Sequence, residues 1–341
     1  MENESVNTLS NAALTTSIPT TTSQGRLSRP EAIPRWRNPT QLERPSYLLS
    51  FPFSFSTEVP NNPWMEDLPG DRRYPNFKRA SVQFLELYRY LAGEALVYVL
   101  PTPQTATLQD QVFTANLGIV LEHVPDKNTV IISNFASEPR RGETQVGVEF
   151  FQQMGYNVWV PPTKFEGEAE LKHLYDNVYA GGFGIRSERE TYEWMEKNFE
   201  MRVIKLRLTD PYLYHLDCLV FPITRESTVV CTGLLEPEEI AELEKFTNII
   251  DVSIDDAYSG ICNSVRMPKV VLNSSHVYDL KPGTEDYQRE LQKNRKLEDI
   301  ASKFALEVSY INLSEYHKSG ALLSCMVMHL NRQAYQIALT D

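Results

Sequence analysis

The amino-acid sequence predicts an α/β fold in which short apolar strands alternate with amphipathic helices. Apolar runs of strand length, such as TVIIS and STVVC, recur along most of the chain. Between two of them, GETQVGVEFFQQMG carries Val146, Phe150 and Met154 at helical spacing. The recurring order is two strands, a helix and a strand, although no residue-by-residue repeat accompanies it. A composition of 42% hydrophobic and 23% charged residues agrees with a globular protein of enzyme size.

The elements follow one another through most of the chain. Further helices are predicted for SERETYEWMEKNF, where Ser187 and Glu190 match a capping box and Trp194 points inwards, for PEEIAELEKF, and for the long polar segment TEDYQRELQKNRKLEDIASKF. The predicted strands, in chain order, are ALVYVLP, LGIVLEH, TVIIS, YNVWVP, RVIKLRL, CLVFPI, STVVC, IIDVSI, KVVLN, LEVSYI and ALLSCMVMHL.

Residues 1–45 are predicted to form a disordered extension rich in Ser and Thr. No charged residue stands between Ser5 and Gly25, and such a tract buries too little apolar surface to offset the cost of ordering it. A mitochondrial presequence is the weaker interpretation, because Glu2 and Glu4 stand at its start and an amphipathic Arg pattern is missing. Residues 46–341 are expected to form a single domain.

Charge and cysteine content exclude several classes of protein. A net charge of −12 without clustered Lys and Arg argues against nucleic-acid binding and is weakly compatible with a cationic substrate. The four cysteines are scattered and form no C-x-x-C pair, so we expect reduced thiols, no metal site and a cytoplasmic location. No apolar run reaches the ~20 residues of a membrane span, so no membrane partner is expected.

Polar residues at the ends of predicted strands are the first indication of a site. In YHLDCLVFPI, His215 and Asp217 precede an apolar run and would share one face of a strand, where both side chains would be costly to bury without partners. Taken alone, the other clusters have plain explanations. Glu166 in FEGEAE would lie in a solvated acidic loop, and Asp110 and Asn116 in LQDQVFTAN would cap turns.

Cys325 differs from the other cysteines because a glycine-containing loop precedes it in HKSGALLSCMVMHL. Such a loop followed by a strand can place a thiol in a cavity and hold it there, although a core cysteine is the more frequent explanation. Cys218, Cys231 and Cys262 are assigned to the core. A nucleophile at Cys325, with His215 as acid/base and Glu166 as its orienting partner, is therefore a conceivable arrangement.

A resemblance strengthens that arrangement. The motifs NNPWM, DQVFTAN, RRGE, FEGE, GFGIRS, YHLDC and a late cysteine after a glycine stand, in this order, between Asn61 and Asn331. The chain thereby resembles the guanidine-modifying enzymes of the pentein superfamily, and FTAN is most similar to arginine dihydrolases, which convert arginine to ornithine, carbon dioxide and ammonia. The resemblance implies a β/α propeller of one catalytic domain, with fivefold pseudosymmetric strand–strand–helix–strand units.

The resemblance also implies roles for nine side chains and no cofactor. Cys325 would be the nucleophile, His215 the general acid/base and Glu166 its partner. Asp217 would grip the planar guanidinium with a matched carboxylate, as its charge and geometry require. The remaining substrate-binding residues would be Asn116 at the guanidinium or ureido group, and Asp110, Arg140, Arg186 and Asn62 at the amino-acid end.

Other functions stay open at this point. An amidinotransferase, an arginine deiminase and a dimethylarginine hydrolase would share the covalent intermediate, and a catalytically inactive pentein would only bind. The expected partner is a small, arginine-like guanidino compound, and a homo-oligomer is left open. Three positions depart from the relatives' pattern: Glu170, Ser187 and the single Gly320 before the nucleophile.

Overall fold

The computed structural model describes residues 37–70, 74–103 and 108–336. Within these ranges the chain is an α/β protein built from short strands and helices. The strands are β1 (Ser46–Ser50), β2 (Leu96–Leu100), β3 (Gly118–Leu121), β4 (Thr129–Ile132), β5 (Asn157–Trp159), β6 (Leu171–Tyr175), β7 (Val178–Phe183), β8 (Arg202–Arg207), β9 (Val220–Pro222), β10 (Ser227–Val230), β11 (Asn248–Asp251), β12 (Val265–Arg266), β13 (Val270–Ser274), β14 (Glu307–Ile311) and β15 (Met328–His329).

The helices in the described ranges are mostly crossovers between strands. Parallel neighbours need such a crossover, whereas antiparallel neighbours need only a hairpin. The helices are α1 (Pro63–Asp67), α2 (Phe77–Ala92), α3 (Glu143–Gln153), α4 (Arg189–Phe199), α5 (Pro237–Leu243), α6 (Ile254–Tyr258), α7 (Glu285–Ser302) and α8 (Ser314–His317). None of the helices in the described part of the chain is both long and apolar enough to cross a bilayer.

The described strands form five three-stranded sheets with one repeated order. In each sheet the middle strand is antiparallel to one neighbour and parallel to the other. Four sheets are continuous in sequence as strand, strand, helix, strand: β3–β4–β5, β6–β7–β8, β9–β10–β11 and β12–β13–β14. The sequence order predicted for the unit is therefore the order found.

The fifth of these sheets joins the two ends of the described chain. Its middle strand β1 is parallel to β2 and antiparallel to β15, with Tyr47 opposite His329. Beside this pairing, the Thr40 hydroxyl donates to the Leu330 carbonyl at 2.6 Å, and Asn331 Nδ2 donates to the Pro39 carbonyl at 3.0 Å. The N-terminal and C-terminal segments therefore close the structure on each other.

The predicted extension is only partly within the described residues. Residues 1–36 lie outside them. Arg37 begins an ordered segment with a 3-10 turn at Pro39–Gln41, which Asn38 caps, and the Thr40 side chain is fully buried. The part of the expected extension that can be seen, residues 37–45, thus packs against the domain because its polar groups find partners there.

Most predicted strands are confirmed, and the exceptions have local causes. In ALLSCMVMHL, Ser324–Met326 is a 3-10 turn and only Met328–His329 is a strand, so Cys325 does not lie on a strand. The predicted capping box is wrong, because α4 begins after Glu188 and the Ser187 hydroxyl accepts a hydrogen bond from the Glu166 amide instead. Trp194 is only half-buried.

The strand pair β6–β7 has no clear pattern in the sequence. Gly181 and Gly182 weaken the strand signal of VYAGGF. They are needed because a Cβ on Gly182 would lie 2.6 Å from Glu170 Oε2, and a Cβ on Gly181 would lie 2.9 Å from the Tyr192 ring. The close approach that requires glycine is a tertiary feature.

Candidate active site

Each sheet of the described structure begins with a turn that carries polar side chains. A 3-10 turn directly precedes β3, β6, β9 and β15, and a bend precedes β12. These turns bring together the side chains on which a site could be built, one set from each unit: Asn116, Glu166, His215 with Asp217, Asn263 and Cys325. The repeated unit therefore presents five equivalent positions, which this chain fills with different chemical groups.

His215 and Glu166 form a buried pair. His215 Nε2 lies 2.7 Å from Glu166 Oε2, and Arg186 Nη1 lies 3.5 Å from the other carboxylate oxygen. Burial opposes ionisation of Glu166, but Arg186 and His215 outweigh it and hold its pKa at about 2. Burial lowers the pKa of His215 although the carboxylate favours its protonation. The pair is thus an ionised carboxylate fixing an imidazole.

Cys325 lies beside the carboxylate of Asp217. Its Sγ is 3.6 Å from Asp217 Oδ2, and the neighbouring Ser324 hydroxyl donates to the same oxygen at 2.6 Å. Asn263 holds the turn from the other side, since its Oδ1 accepts from the Ser324 amide at 2.7 Å and its Nδ2 lies 3.4 Å from the thiol. Burial, reinforced by Asp217, raises the pKa of the Cys325 thiol to about 12.

The placement of His215 and Asp217 differs from the sequence-based interpretation. Both were expected on one face of a strand, but His215 precedes the 3-10 turn Leu216–Cys218 that contains Asp217, and β9 begins only at Val220. The turn lets the two side chains diverge. His215 reaches Glu166, whereas the fully buried Asp217 reaches Ser324 and Cys325.

A narrow cavity of about 20 Å³ lies between these groups. Of the nine predicted side chains, all of them in the described ranges, seven line this cavity and two lie behind it, Glu166 and Asp217. Asn116 lines it with its Nδ2 3.4 Å from both ring nitrogens of His215. A volume near that of a single water means that a substrate can enter only when part of the wall moves.

Two predicted residues at the outer part of the cavity are strongly constrained by their neighbours. Arg140 makes a bidentate pair with Glu143, at 2.9 and 2.7 Å, and also donates to the carbonyls of Asp110 and Phe113. The Asp110 carboxylate accepts from Asn61 Nδ2 at 2.6 Å, and burial raises its pKa although Arg140 opposes the shift.

The entrance is formed by Asn61, Asn62, Arg186 and Tyr214. These four residues line both the cavity and a more open pocket of about 450 Å³ outside it. Arg186 donates to the Asn61 carbonyl at 2.5 Å and stacks over the Tyr214 ring at 4.8 Å. Asn62 caps α1, accepting from the Met65 amide at 3.1 Å, and donates to the Ser319 carbonyl at 3.0 Å.

The acidic run FEGEAE is not a solvated loop. Glu166, Glu168 and Glu170 are all buried. Glu168 pairs with His329 at 2.6 Å and with Arg332 at 2.7 Å, which ties the turn before β6 to the closing strand. Burial, with the negative charge of Glu166, raises the pKa of Glu170 well above its usual value.

Several residues of the site were not predicted from the sequence. Asn263 and Ser324 hold the turn that contains Cys325, while Asn61 and Tyr214 form the entrance. Asn263 had a signal that could have found it, because it stands in ICNSVR immediately before β12, the position that carries site residues in the other units. The entrance residues had none, since their roles depend on contacts between distant segments.

The chain is similar in sequence to known proteins over most of its length. The sequence profile of the family described as "N,N dimethylarginine dimethylhydrolase, eukaryotic" matches residues 51–332. The bifunctional arginine dihydrolase/ornithine cyclodeaminase AgrE of Nostoc sp. is 26% identical over 291 residues, which are 83% of this chain and 37% of AgrE. The chain therefore spans well under half of that relative's length.

Two further proteins are similar to different shares of the chain. The N(G),N(G)-dimethylarginine dimethylaminohydrolase of Mycobacterium tuberculosis is 26% identical over 174 residues, 50% of this chain and 53% of that protein. The N-terminal domain of ArgZ, an arginine dihydrolase from the cyanobacterial ornithine–ammonia cycle solved bound to product, matches with a TM-score of 0.72. At 23% identity, with 84% of this chain and 97% of that domain covered, this likeness shows a shared fold.

Proposed function

The chain belongs to the eukaryotic N,N-dimethylarginine dimethylhydrolase family, and from this membership we propose that it hydrolyses a guanidino group through a covalent intermediate on Cys325. The main support is the placement of the thiol 3.6 Å from Asp217, on the wall of a cavity that His215 also lines. The names of its relatives, arginine dihydrolase and dimethylarginine dimethylaminohydrolase, describe hydrolases of guanidino C–N bonds.

The proposed first step adds the Cys325 sulfur to the central guanidinium carbon. Asp217 lies behind the cavity beside Cys325, and once the wall moves to admit substrate it binds the N–H groups of the guanidinium and keeps it planar and charged. The bound cation next to the thiol favours its ionised form, against burial and Asp217, which raise the pKa of the thiol. His215, neutral because burial lowers its pKa, accepts the thiol proton and delivers it to the departing amine as the C–N bond breaks.

In the second step His215 activates a water against the carbon bound to sulfur. The new C–O bond forms, the C–S bond breaks, and the thiol is restored. Glu166 keeps the imidazole in one tautomer through both steps, because its ionised carboxylate accepts from Nε2. For arginine this first turnover yields ammonia and a neutral ureido product.

We propose arginine as the substrate and ornithine as the final product, in an arginine dihydrolase reaction. One arginine and two waters then give ornithine, carbon dioxide and two ammonia. The support on this chain is Asn116, which faces His215 in the cavity. A carboxylate at this position, in addition to that of Asp217, would strongly favour a cationic substrate over a neutral one. An amide both donates and accepts hydrogen bonds, so it can hold the ureido oxygen for a second attack.

Product analysis with arginine tests this proposal. We expect wild-type protein to release ornithine and ammonia, and Cys325→Ser to fold normally but show no turnover, with Cys262→Ser as a buried-cysteine control that keeps activity. Citrulline as the only product would indicate a deiminase. Turnover only with dimethylarginine would indicate that hydrolase, and turnover that requires an amine acceptor would indicate an amidinotransferase. Activity in the Cys325 variant would contradict the covalent step.

Asn116→Asp is the sharper test of the substrate proposal. The added carboxylate leaves an acceptor facing the ureido oxygen, a mismatch that costs on the order of 1–3 kcal/mol. We therefore expect this variant to consume arginine but accumulate citrulline, as measured by amino-acid chromatography. An unchanged ratio of ornithine to citrulline would contradict the assigned role of Asn116 while leaving the covalent mechanism standing.

We also propose an architecture and a cellular compartment for this protein. Five sheets of one order in the described chain, the last closed by both chain ends, support a β/α propeller with fivefold pseudosymmetry. The four free cysteines support the cytoplasm as the compartment. A catalytically inactive binding protein is disfavoured, because it would have no use for an ionised Glu166 aligned on His215.

A further inference from the structure

A second cavity lies on the other side of the wall that closes the candidate active site. Its volume of about 540 Å³ is in the range of small-molecule sites, and it is much larger than the narrow cavity beside Cys325. It lies between α1, α6, α7 and α8, and its lining includes Trp64, Tyr258, His276, Lys293 and His317. None of the nine predicted site residues lines it.

The two cavities share a wall, which consists of residues 62–64 and 317–322. Asn62 and Ser319 face the active-site cavity, whereas Trp64 and His317 face the second one. Asn62 Nδ2 donates to the Ser319 carbonyl at 3.0 Å, which joins the two halves of the wall. A Cβ on Gly320 would lie 2.9 Å from Trp64 Cδ1, so the wall has no slack between Trp64 and the loop that leads to Cys325.

Aromatic rings form one side of the second cavity. The Trp64 ring lies 6.1 Å from that of Tyr258 and 6.2 Å from that of His317, and the His317 ring lies 5.6 Å from that of His276. Such faces attract cations through the quadrupole of the ring, most strongly at tryptophan. The rings therefore favour a ligand with an apolar chain and a positive end.

The charged groups of the second cavity favour the same ligand. Three carboxylates and two cations line it. Lys293 is already paired with Glu290 at 2.7 Å, and Arg289 with Glu285 at 2.9 Å and with Asp286 at 3.7 Å. Asp255, by contrast, is exposed, and its carboxylate makes no hydrogen bond or ion pair with any described residue. The negative charge left without a partner is thus available to an incoming cation.

We propose that this second cavity binds a small organic cation, an aliphatic chain ending in an ammonium or guanidinium group, and that the bound cation slows the reaction at Cys325. The active-site cavity admits substrate only after its wall moves, and a ligand packed on Trp64 holds the shared wall in place. The binding claim is independent of the proposed function, whereas the inhibition rests on it.

Binding is tested through the fluorescence of Trp64, one of four tryptophans in the chain. The first probe is cadaverine, an aliphatic diamine. L-lysine tests whether the cavity tolerates an amino-acid group, and pentane-1,5-diol is the uncharged control of the same chain length. We expect a saturable change with cadaverine that Trp64→Phe removes and that the diol does not produce. A double variant, Asp255→Asn with Asp286→Asn, should bind about tenfold more weakly. Asp299→Asn, also exposed on α7 but outside the cavity, should bind normally.

The double variant also separates this cavity from the active site, since neither aspartate lines the latter. No saturable change with cadaverine, an equal change with the diol, or undiminished binding by the double variant would each overturn the binding claim. If L-lysine binds as well, free amino acids can supply the cation. If L-lysine does not bind, the ligands are restricted to amines without an amino-acid group. In both cases the ligand is an aliphatic organic cation, as proposed.

Inhibition is tested with the same probes in the guanidino-hydrolase assay. We expect saturating cadaverine to lower kcat/KM about 5-fold in wild-type protein. The double variant should need about ten times more cadaverine for half of this effect, and its activity without probe should be unchanged. Equal inhibition of both proteins would mean competition at the active site and overturn the coupling. If wild-type protein had no hydrolase activity, the proposed function would fail, while the fluorescence arm would still decide the binding claim.

Discussion

Glu166 and Glu170 are both fully buried, yet their surroundings shift their pKa values in opposite directions. Arg186 and His215 keep the Glu166 carboxylate ionised against the effect of burial, with a pKa of about 2. Glu170 has no cationic partner of this kind, and burial together with the charge of Glu166 raises its pKa. One backbone turn therefore carries a carboxylate that the proposed chemistry uses and a second carboxyl group whose neutral form is favoured by burial.

Neutral isosteres distinguish the two glutamates. Glu166→Gln removes the charge that orients His215, and we expect kcat to fall by about 10²–10⁴-fold. Burial favours the neutral form of Glu170, which Gln matches in shape and charge, so Glu170→Gln should leave activity and thermal stability near wild type. Steady-state kinetics and a melting curve on both variants check this. Equal losses in the two would contradict the opposite directions of their pKa shifts.

The thiol of Cys325 gives a prediction about pH. Because burial and Asp217 raise its pKa to about 12, the thiolate fraction of the free protein should increase about tenfold for each pH unit up to pH 10. We expect the rate of alkylation of Cys325 by iodoacetamide, followed by mass spectrometry of its peptide, to increase without a plateau over this range. A plateau near neutral pH would show that the free protein already holds a thiolate.

At this scale the sequence could suggest candidate reacting groups but not their environments. Cys325, His215 and Glu166 were identified from residue type, order and family resemblance, and the structure brings His215 and Glu166 into contact. The burial of Glu166 and Glu170 could not be predicted, because an acidic run lies in a solvated loop unless distant cations and amides meet it. Asn62 shows the same limit, because its hydrogen bond to the Ser319 carbonyl joins two segments that are far apart in the sequence.

The loop that leads to Cys325 is the element on which the site depends most. Gly320 has a φ of +74° and packs directly on Trp64 and Asn62. A residue with a Cβ would be strained there in its backbone and would also press on the shared wall. Gly283 has a similar φ of +88°, but a Cβ at that position would meet nothing within 4 Å, so it would experience the backbone penalty alone.

These two glycines form a matched pair for mutagenesis. Gly283→Ala should lower the free energy of unfolding by ~1–2 kcal/mol and leave kinetics unchanged. Gly320→Ala should lose a similar amount, plus ~1–3 kcal/mol for the clash, and should also lower kcat/KM because the wall beside Ser319 and Cys325 shifts. Denaturant titration and kinetics measure both effects. Normal kinetics in Gly320→Ala would show that the wall does not influence the site.

Elements with strong local patterns were predictable and those shaped by tertiary contacts were not. The apolar runs TVIIS and STVVC and the helix within GETQVGVEFFQQMG were found as predicted, as β4, β10 and α3. β7 was missed because its two glycines weaken the strand pattern, and they are required only because Tyr192 and Glu170 pack closely against them in the folded structure. The turn at Ser324–Met326 has the sequence pattern of a strand, since apolar residues alone do not separate a buried turn from a strand.

The described part of the chain, residues 37–336, is a closed arrangement whose ends meet. β15 pairs with β1, and Asn331 and Thr40 add hydrogen bonds beside that pairing. Glu168 holds His329 and Arg332 from the neighbouring unit. Because the described ends lie side by side, the position of the chain break within the closed structure should matter little to its stability.

A circular permutant tests this closure. It joins Gln336 to Arg37 through about eight Gly and Ser residues and opens the chain between Lys281 and Pro282, in an exposed loop. We expect it to fold cooperatively and to keep hydrolase activity. A control with the same linker, opened between Leu48 and Leu49 inside β1, should not fold. Loss of folding in the first permutant would mean that the ends are constrained by more than these contacts.

The closing pair also sets the order of events during protein synthesis. β1 leaves the ribosome well before the strand that covers its second edge, because that strand comes from residues 328–329, about 280 positions later in the chain. Until then β1 presents an open edge able to pair with other chains, which is a recognised route to aggregation. Cys325, the proposed nucleophile, emerges with the same segment as β15. Until residues 325–329 have emerged, a nascent chain therefore lacks the proposed nucleophile and is most in need of chaperone protection.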